Sequence, residues 1–249
     1  YSHHRSHNAY LACGGSVLRL AAELYGKSEG CSRGKGGSVH LVDKEMGFYG
    51  SSAILGQSLS FATGGAHAHK YFNDGGISIA FFGDAAMEEG VTWESFNYAA
   101  LFELPVLYVC ENNSYSTESH IDNRYPKNTN IVSKVSAFGM YAEKIFGQDV
   151  FEIAIKARQI IDWVRINRKP AFIEFQTVRL FEHVGPFKDF ENGKKFRSEF
   201  EQHRNDVLDP IEIAQQILQR AFKIDIEELN AIKVRNKAQV ENEFSKAKL

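Results

Sequence analysis

Two apolar runs, each followed by a polar motif, decide the fold of this chain. They are Ile77-Ser78-Ile79-Ala80-Phe81-Phe82-Gly83-Asp84-Ala85-Ala86 and Val106-Leu107-Tyr108-Val109-Cys110-Glu111-Asn112-Asn113-Ser114-Tyr115. An amphipathic stretch lies between them, so the pattern predicts a strand, a crossing helix and a parallel strand. Both polar motifs then stand at the carboxyl ends of neighbouring strands, where open parallel sheets bind their ligands.

Asp84 and Asn113, one from each motif, carry side-chain oxygen atoms that suit a hard divalent cation. Mg²⁺ held in this way usually completes its shell with water and phosphate oxygens. Taken alone, an Asp after a strand is often a helix cap, and Asn-Asn is often a turn. Their placement in one strand–helix–strand unit favours the ligand interpretation, so the pair predicts a magnesium–diphosphate site.

A glycine-rich run at residues 30–40 reads Gly-Cys-Ser-Arg-Gly-Lys-Gly-Gly-Ser-Val-His. This run, the Gly83-Asp84 motif and the Glu-Asn-Asn-Ser-Tyr motif at residues 111–115 resemble one family. It is the α subunit of the decarboxylating component of thiamine-diphosphate-dependent 2-oxo acid dehydrogenases, which act on pyruvate, branched-chain 2-oxo acids or acetoin. The resemblance covers about residues 3–211. It implies an α/β fold with a doubly wound, mostly parallel sheet flanked by helices.

The composition fits one globular domain and excludes several other classes of protein. Hydrophobic residues make up 43% of the 249 residues and charged residues 24%, which suits a chain with a substantial core. The formal charge is −2, so phosphate-driven binding to nucleic acid is not expected. No apolar run approaches the roughly 20 residues of a membrane helix. Three widely spaced cysteines suit a reducing compartment and match no zinc or disulfide pattern.

The sequence opens at Tyr1-Ser2-His3-His4-Arg5, inside a segment that matches the family. We therefore expect the natural chain to extend further upstream. Residues 1–249 are expected to form a single thiamine-diphosphate-binding domain, since no repeat or linker divides them. We expect a cytoplasmic protein. The expected upstream segment leaves open whether the natural chain carries an organellar targeting signal.

Hydrophobic periodicity and chain breakers give a coarse order of elements. The expected strands are 77–82, 106–110 and 171–177. The expected helices are 16–25, 54–71, 91–104, 151–166, 210–222 and 226–244. Three segments are expected to be loops: the glycine-rich residues 26–37 and the polar residues 114–135 and 182–195. The small residues of helix 54–71 suit either tight internal packing or a subunit contact.

In the family, the two central motifs bind magnesium and the cofactor diphosphate. The resemblance implies that the magnesium ligands are Asp84, Asn113 and the backbone carbonyl of Tyr115. It assigns four residues of the first motif to contacts with the cofactor: Gly83, Asp84, Ala85 and Ala86. Asn113 and Tyr115 share those contacts. Ala85 stands where the family has the second glycine of Gly-Asp-Gly. Because alanine disfavours a positive φ, the site can accept Ala85 only if its φ is negative.

Arg5 and His7 match a family segment, Tyr-Arg-x-His-Gly, whose arginine and histidine face the diphosphate and the reacting atoms. The guanidinium of Arg5 suits a diphosphate because its fork donates two parallel hydrogen bonds. The resemblance makes His7 a candidate catalytic residue. His4 and Asn8 depart from the family segment, which has tyrosine and glycine at these places.

Ala53-Ile54-Leu55-Gly56 resembles a family stretch that contacts the aminopyrimidine ring of the cofactor. The resemblance implies a backbone contact from Ala53 and an apolar wedge from Leu55. Ordinary packing at a helix start would use the same residue types. His40, at the end of the glycine-rich run, is a weaker candidate for the site.

Residues 177–185 read Thr-Val-Arg-Leu-Phe-Glu-His-Val-Gly and resemble a family loop beside the thiazolium ring. The resemblance makes His183 a catalytic residue that also contacts the cofactor. A histidine of near-neutral pKa can exchange protons with a bound intermediate. Val184 replaces the serine that kinases modify in mitochondrial members, and regulation by phosphorylation is therefore expected to be absent. Glu182 replaces a family glycine.

The resemblance implies oxidative decarboxylation of a 2-oxo acid, or transfer of the resulting acyl or aldehyde group, with thiamine diphosphate and Mg²⁺ as cofactors. In this family the glutamate that activates the cofactor belongs to a β subunit. We therefore expect an α₂β₂ heterotetramer and no turnover by this chain alone. A lipoyl-domain acyltransferase is a further expected partner, whereas nucleic acid and membranes are not.

Two alternatives stay open. The chain could be the amino-terminal half of a split transketolase, a group that the Glu89-Gly90 pair after the metal motif also fits. It could instead be a non-catalytic scaffold that keeps the fold, given the departures at Asn8, Ala85 and Glu182. Ketose-phosphate turnover would indicate the first alternative, and failure to bind the cofactor would indicate the second.

Overall fold

The computed structural model describes residues 1–188, 191, 193 and 196–249. The strands are β1 (Ser2–His3), β2 (Ser51–Ser52), β3 (Ser78–Gly83), β4 (Val106–Asn112), β5 (Tyr115–Ser116), β6 (Ser119–His120), β7 (Tyr141–Phe146) and β8 (Ala171–Gln176). The helices are α1 (His7–Ala12), α2 (Val17–Leu24), α3 (Gln57–Phe72), α4 (Gly90–Leu101), α5 (Ile131–Ser136), α6 (Val150–Asn167), α7 (Glu199–Val207), α8 (Pro210–Phe222) and α9 (Ile226–Lys248). Within the described residues, no helix is long and apolar enough to cross a membrane.

Four strands form a parallel sheet in the order β3–β4–β8–β7. Parallel neighbours need crossover connections, and helices provide them here. The register pairs Gly83 at the end of β3 with Glu111 near the end of β4. This register brings the two polar motifs to the same edge of the sheet. The predicted α/β fold, with a parallel sheet flanked by helices, is confirmed.

Helices cover both faces of the sheet, and the central strand β4 is accordingly apolar on both sides. On one face, Tyr108 and Cys110 lie in a core with side chains from α3, α4 and α5. On the other face, Leu107 and Val109 pack in a core that includes Val164 of α6. Parallel strands buried on both faces are typically continuous apolar runs, which explains why β4 is recognisable from the sequence.

Polar side chains fix where several helices begin. Ser16 accepts a hydrogen bond from the backbone N–H of Arg19 at the start of α2. Asp149, Asp209 and Asp225 accept from first-turn N–H groups of α6, α8 and α9. Such caps satisfy donors that a helix start leaves unpaired. The predicted helix 210–222 has the same bounds in the structure, because its cap and the following proline mark its start.

The glycine-rich residues 26–37 form no regular helix or strand, as predicted, and they close around a carboxylate of the chain itself. The buried Glu23 side chain accepts from four backbone N–H groups: Ser32 at 2.7 Å, Gly34 at 2.9 Å, Gly36 at 2.7 Å and Gly37 at 3.1 Å. Burial by itself raises the pKa of the Glu23 carboxyl, but the four donors outweigh it and the net pKa is lowered. A Cβ on Gly36 would lie 2.0 Å from the carbonyl oxygen of His40, so only glycine fits there.

Helix α3 begins at Gln57 and not at Ile54 as the sequence pattern indicates. Gly56 stands at its N-cap with a φ of 78°, in the left-handed region that favours glycine. A Cβ there would approach Cγ1 of Val91 to 2.6 Å. The turn at residues 53–56 therefore precedes the helix, and the side chains of residues 53–55 are exposed and do not pack as part of it.

One strand is missed and one expectation is wrong, because polar residues interrupt the apolar pattern in both segments. The sequence pattern misses β7, where Glu143 and Lys144 interrupt the apolar residues of an edge strand. Residues 114–135 are not one long loop, since they contain the β5–β6 hairpin and the start of α5. Part of the predicted loop 182–195 lies outside the described residues, and its described part up to residue 188 has no helix or strand.

Candidate active site

One cleft at the carboxyl edge of the sheet, called the main cleft below, gathers most of the residues that the sequence singles out. The ends of β3 and β4, the turn before α3, the first residues of the chain and the segment after β8 all contribute to it. The predicted site residues that line it are Arg5, Leu55, Gly83, Asp84, Ala85, Ala86, Asn113, Tyr115 and His183.

Asp84 lies buried after β3, and its carboxylate pairs with Arg124, which belongs to none of the sequence motifs. The Asp84 side chain is 1% exposed, and the Arg124 side chain, 9% exposed, donates to its Oδ2. Arg124 follows the short turn after β6 and also donates to Glu88. A buried carboxylate is costly without a nearby positive charge, and Arg124 supplies that charge from within the chain.

The two asparagines at the end of β4 have different partners. Asn112 is buried, donates to Oε1 of Glu174 at 2.8 Å and accepts from the N–H of Ser114 at 3.0 Å. Asn113 lines the main cleft, and its Oδ1 accepts from the N–H of Tyr115 at 3.0 Å. Asn112 therefore fixes the turn, and Asn113 is the amide that faces the cleft.

The donor set fits a hard cation and a diphosphate. Asp84, Asn113 and the backbone of Tyr115 offer oxygen atoms at one edge of the sheet, and oxygen is the ligand that Mg²⁺ prefers. Ala85 lies in the 3₁₀ turn Asp84–Glu88 without a positive φ, so alanine is accommodated where the family has glycine. Among the described residues, no group of three or more His, Cys, Asp or Glu side chains forms a separate metal cluster. A cation at Asp84 would share the carboxylate with Arg124 or displace it.

His183 lies in the main cleft against a histidine from the start of the chain. Its Nε2 is 2.9 Å from Nε2 of His4, and the two ring centroids are 4.9 Å apart. Burial lowers the pKa of His183, and His4, Arg5, Arg179 and His3 lower it further, to about 4. Burial, His3 and Arg5 also lower the pKa of His4. Both imidazoles are therefore neutral at pH 7, and His183 titrates below the near-neutral range that the resemblance implies.

His3 holds the second acidic side chain of the main cleft. Its Nδ1 accepts from the backbone N–H of Arg5 at 3.1 Å, and its Nε2 lies 2.9 Å from Oε2 of Glu111. Because Nδ1 is the acceptor, the proton of neutral His3 sits on Nε2 and is donated to Glu111. Among the described residues that line the cleft, the acidic ones are Asp84 and Glu111, and each has a nitrogen partner.

The segment after β8 is attached to the β5–β6 hairpin. Arg179 is buried and donates to the carbonyl of Thr117 at 2.7 Å. Arg197 stacks on the ring of Tyr115, with its guanidinium carbon 4.3 Å from the ring centroid. The hydroxyl of Tyr115 in turn donates to Glu201 of α7 at 3.0 Å. These contacts hold the described part of the segment over the main cleft.

Arg5 and His7 meet in a cleft that adjoins the main cleft. Arg5 is exposed and lines both the main cleft and an adjoining one, called the side cleft. His7 lines only the side cleft, where its Nε2 is 3.0 Å from Oγ and 3.1 Å from the carbonyl oxygen of Ser38. His40 lines neither cleft. Arg5 and His183 also line the side cleft, so the structure brings all three residues to the same space. The catalytic role of His7 stays a prediction.

Leu55 and Ile54 place exposed apolar side chains in the main cleft. The N–H of Ile54 donates to Oγ of Ser52 at 3.1 Å, which holds the turn that carries them. Apolar side chains beside polar groups suit a flat heteroaromatic ligand. Ala53 is exposed but does not line this cleft, so its predicted cofactor contact stays a prediction.

Three residues of the site have partners that sequence reasoning misses. They are His4, Glu111 and Arg124. His4 is visible in the sequence only as a departure from the family segment, and Glu111 only as part of the second motif. Arg124 lies in a polar stretch with no regular pattern, so nothing in the spacing connects it to Asp84.

The fold and the main cleft define a ligand-binding α/β domain with a buried carboxylate, an amide and paired histidines at the carboxyl edge of its sheet. The whole chain, residues 1–249, matches the sequence model of the dehydrogenase E1 component family. The chain belongs to this family. This confirms the resemblance carried by the sequence motifs and favours it over the split-transketolase alternative.

Three curated relatives illustrate the similarity. The pyruvate dehydrogenase E1 component subunit alpha of Rhizobium meliloti is 37% identical over 210 residues, which are 84% of this chain and 59% of that protein. The subunit of the same name from Zymomonas mobilis is 39% identical over 180 residues, 72% of this chain and 51% of that protein. A mitochondrial one from Dictyostelium discoideum is 33% identical over 218 residues, 86% of this chain and 55% of that protein. The chain thus spans a little over half the length of these relatives.

Proposed function

We propose that this chain is the α-type part of a 2-oxo acid dehydrogenase that binds thiamine diphosphate through Mg²⁺. The observation that carries the proposal is the position of Asp84 and Asn113 after two adjacent parallel strands, in one cleft with His183. Family membership supports the reaction class. Pyruvate is the first substrate to assay, because the relatives described above carry that name.

Several residues of the main cleft have a role in the proposed enzyme. The Mg²⁺ ligands are Asp84, Asn113 and the carbonyl oxygen of Tyr115. Backbone N–H groups of residues 83–86 and the guanidinium of Arg5 bind the diphosphate. Leu55 packs against the aminopyrimidine, and neutral His183 accepts or returns a proton at the reacting atoms. Bound thiamine diphosphate supplies the electron sink that decarboxylation of a 2-oxo acid requires.

A second subunit completes the proposed site. The acidic residues of the main cleft, Asp84 and Glu111, are already paired with Arg124 and His3. We therefore infer that a β subunit supplies the glutamate that activates the cofactor, in an α₂β₂ assembly. A lipoyl-domain acyltransferase is the proposed acceptor of the acyl group.

An exposed apolar surface on α3 and α4 supports a subunit contact. This surface, called the aromatic surface, consists of Phe61, Tyr71, Phe72, Tyr98, Leu101 and Phe102. The ring of Tyr98 packs against that of Phe102 in a tilted arrangement, with centroids 4.5 Å apart. The hydroxyl of Tyr98 lies 3.1 Å from Nδ1 of His67, which joins the two helices. Gly64 and Ala68 are exposed on the same face of α3 and leave room for a close approach. Several exposed large apolar side chains on two neighbouring helices are typical of an interaction site.

Turnover of the separate and combined chains tests the proposed assembly. The chain purified alone, with thiamine diphosphate and Mg²⁺, is expected not to decarboxylate pyruvate or branched-chain 2-oxo acids. The complex with the β-type subunit from the same genome is expected to do so. Turnover by the isolated chain would refute the shared site. A complex that binds no cofactor would instead establish the non-catalytic scaffold.

Replacement of Asp84 tests the metal assignment. Asp84→Asn keeps the shape of the side chain but removes its charge, so Mg²⁺-dependent affinity of the complex for thiamine diphosphate should fall at least about tenfold. Isothermal titration calorimetry measures this affinity. Glu88→Gln is the matched control, because Glu88 is the other partner of Arg124 and is not a predicted ligand. Equal affinities of the two variants would contradict the assignment.

A further inference from the structure

The rings of His4 and His183 meet through the same atom, Nε2, at a separation of 2.9 Å. Two N–H groups facing each other would repel at this distance, and two lone pairs would form no bond. One proton therefore lies between the two nitrogens. One ring carries its hydrogen on Nε2 and the other carries it on Nδ1, so each ring fixes the tautomer of the other.

We propose that His4 is a positioning residue for His183 and that the two imidazoles form a pair that handles protons as a unit. The inference rests on the proposed function, because it deepens the role of His183 in the main cleft. A first added proton goes to Nδ1 of the donor ring and leaves the N–H···N bond between the rings intact. A second proton would place two N–H groups face to face and separate the rings.

Burial lowers the pKa of both histidines most, and nearby positive charges lower it further, so the pair is neutral at pH 7. His3 and Arg5 approach from the start of the chain, and Arg179 from the segment that carries His183. Glu111, Asp84 and Tyr115 face the same cleft from the sheet edge and the hairpin. The two arginines disfavour an added positive charge, whereas Glu111 is engaged by His3. The neutral pair thus offers one basic nitrogen of fixed position.

The residue type at position 4 separates two functions of the pair. His4 stands where the family segment has tyrosine. A tyrosine hydroxyl can donate to Nε2 of His183 and hold its ring, but it takes up no proton near neutral pH. The variant His4→Tyr therefore keeps positioning and removes proton sharing, and His4→Phe removes both.

Nitrogen NMR of the full chain labelled with ¹⁵N-histidine tests the pairing without any need for turnover. In the wild-type chain, His4 and His183 should show complementary tautomers and respond together to a single proton-uptake step. In His4→Phe, His183 should become a mixture of both tautomers, and His4→Tyr should restore a single tautomer. His67→Phe, outside the main cleft, is the control and should leave both rings unchanged.

Independent titration of the two rings in the wild-type chain, or an unchanged tautomer of His183 in His4→Phe, would overturn the proposal. Circular dichroism establishes that the variants are folded. If His4→Phe does not fold, His183→Phe gives the same test with His4 as the reporter. Loss of the single tautomer of His4 in that variant supports the pair, and its retention refutes it.

Kinetics of the assembled enzyme distinguish this proposal from the proposed function. His4→Phe should lower kcat about tenfold while KM changes by less than about twofold, because proton transfer is affected and binding is not. His4→Tyr should recover part of kcat and alter the pH profile. An inactive wild-type complex would refute the proposed function. The NMR result would still show whether His4 and His183 form the proposed pair. Active enzyme with independently titrating rings would refute the pair alone.

Discussion

Arg124 and Asp84 form an ion pair that is almost completely removed from solvent. Arg124→Met keeps most of the side-chain volume but leaves the Asp84 carboxylate buried without its cation. We expect the free energy of unfolding to fall by about 3 kcal/mol, measured by urea denaturation without added metal. Added Mg²⁺ should recover part of this loss, since a cation at Asp84 replaces the missing charge.

The exposed pair of Arg158 and Asp162 on α6 provides the control for this prediction. Arg158→Met should change the stability very little, because solvent screens such pairs. If Arg124→Met were as stable as Arg158→Met, or did not respond to Mg²⁺, the ion pair would have no connection with the cation site.

Single residues differ in how far the sequence reveals them. Asp84 and Asn113 are predictable, because a polar residue directly after a buried strand must lie at the edge of the sheet. The partners are not predictable from spacing: Arg124 is 40 positions from Asp84, and His4 is 179 positions from His183. Contacts at that separation depend on how loops close, which no local pattern encodes.

The glycine-rich segment depends on Glu23 as an element of structure. Glu23→Gln removes the charge that four backbone N–H groups surround, so the free energy of unfolding should fall by about 2 kcal/mol. Thermal or chemical denaturation measures the change. Glu29→Gln, on the exposed part of the same segment, is the control and should have no comparable effect. Equal stability of the two variants would show that the buried carboxylate is not structural.

The same carboxylate predicts a pH dependence. The folded state lowers the pKa of Glu23, so its stabilising contribution is fully present above the pKa of the unfolded chain. It is lost as the pH falls through the lower pKa of the folded chain. The difference in stability between wild type and Glu23→Gln should therefore shrink on acidification below pH 4.

Elements with strong local signals are predictable, and elements that depend on their neighbours are not. Helix α8 has an Asp cap, a proline in its first turn and an apolar stripe, and its predicted bounds agree with the structure. Strand β7 lacks such signals because only one of its sides pairs with the sheet. The start of α3 depends on Gly56, whose positive φ favours glycine and whose position leaves no room for a Cβ beside Val91.

The whole molecule exposes the aromatic surface on one side, and this surface predicts how it assembles. Leu101 is 71% exposed there, and Leu101→Glu should weaken or abolish the complex with the proposed β subunit without unfolding the chain. Ile166 of α6 is 80% exposed outside this surface, so Ile166→Glu is the matched control. Native mass spectrometry measures the assembly. An intact complex of the Leu101 variant would place the subunit contact elsewhere.

The glycine-rich run is the motif that most specifically relates this chain to its family. It folds around the Glu23 carboxylate, so its glycines have a structural role. A descendant that had lost every ligand for Mg²⁺ could inherit this run unchanged, because its packing does not depend on the chemistry of the cleft. Kinship inferred from the run is therefore a statement about ancestry. Under the proposed function, the residues that bear on catalysis are instead Asp84, Asn113 and His183.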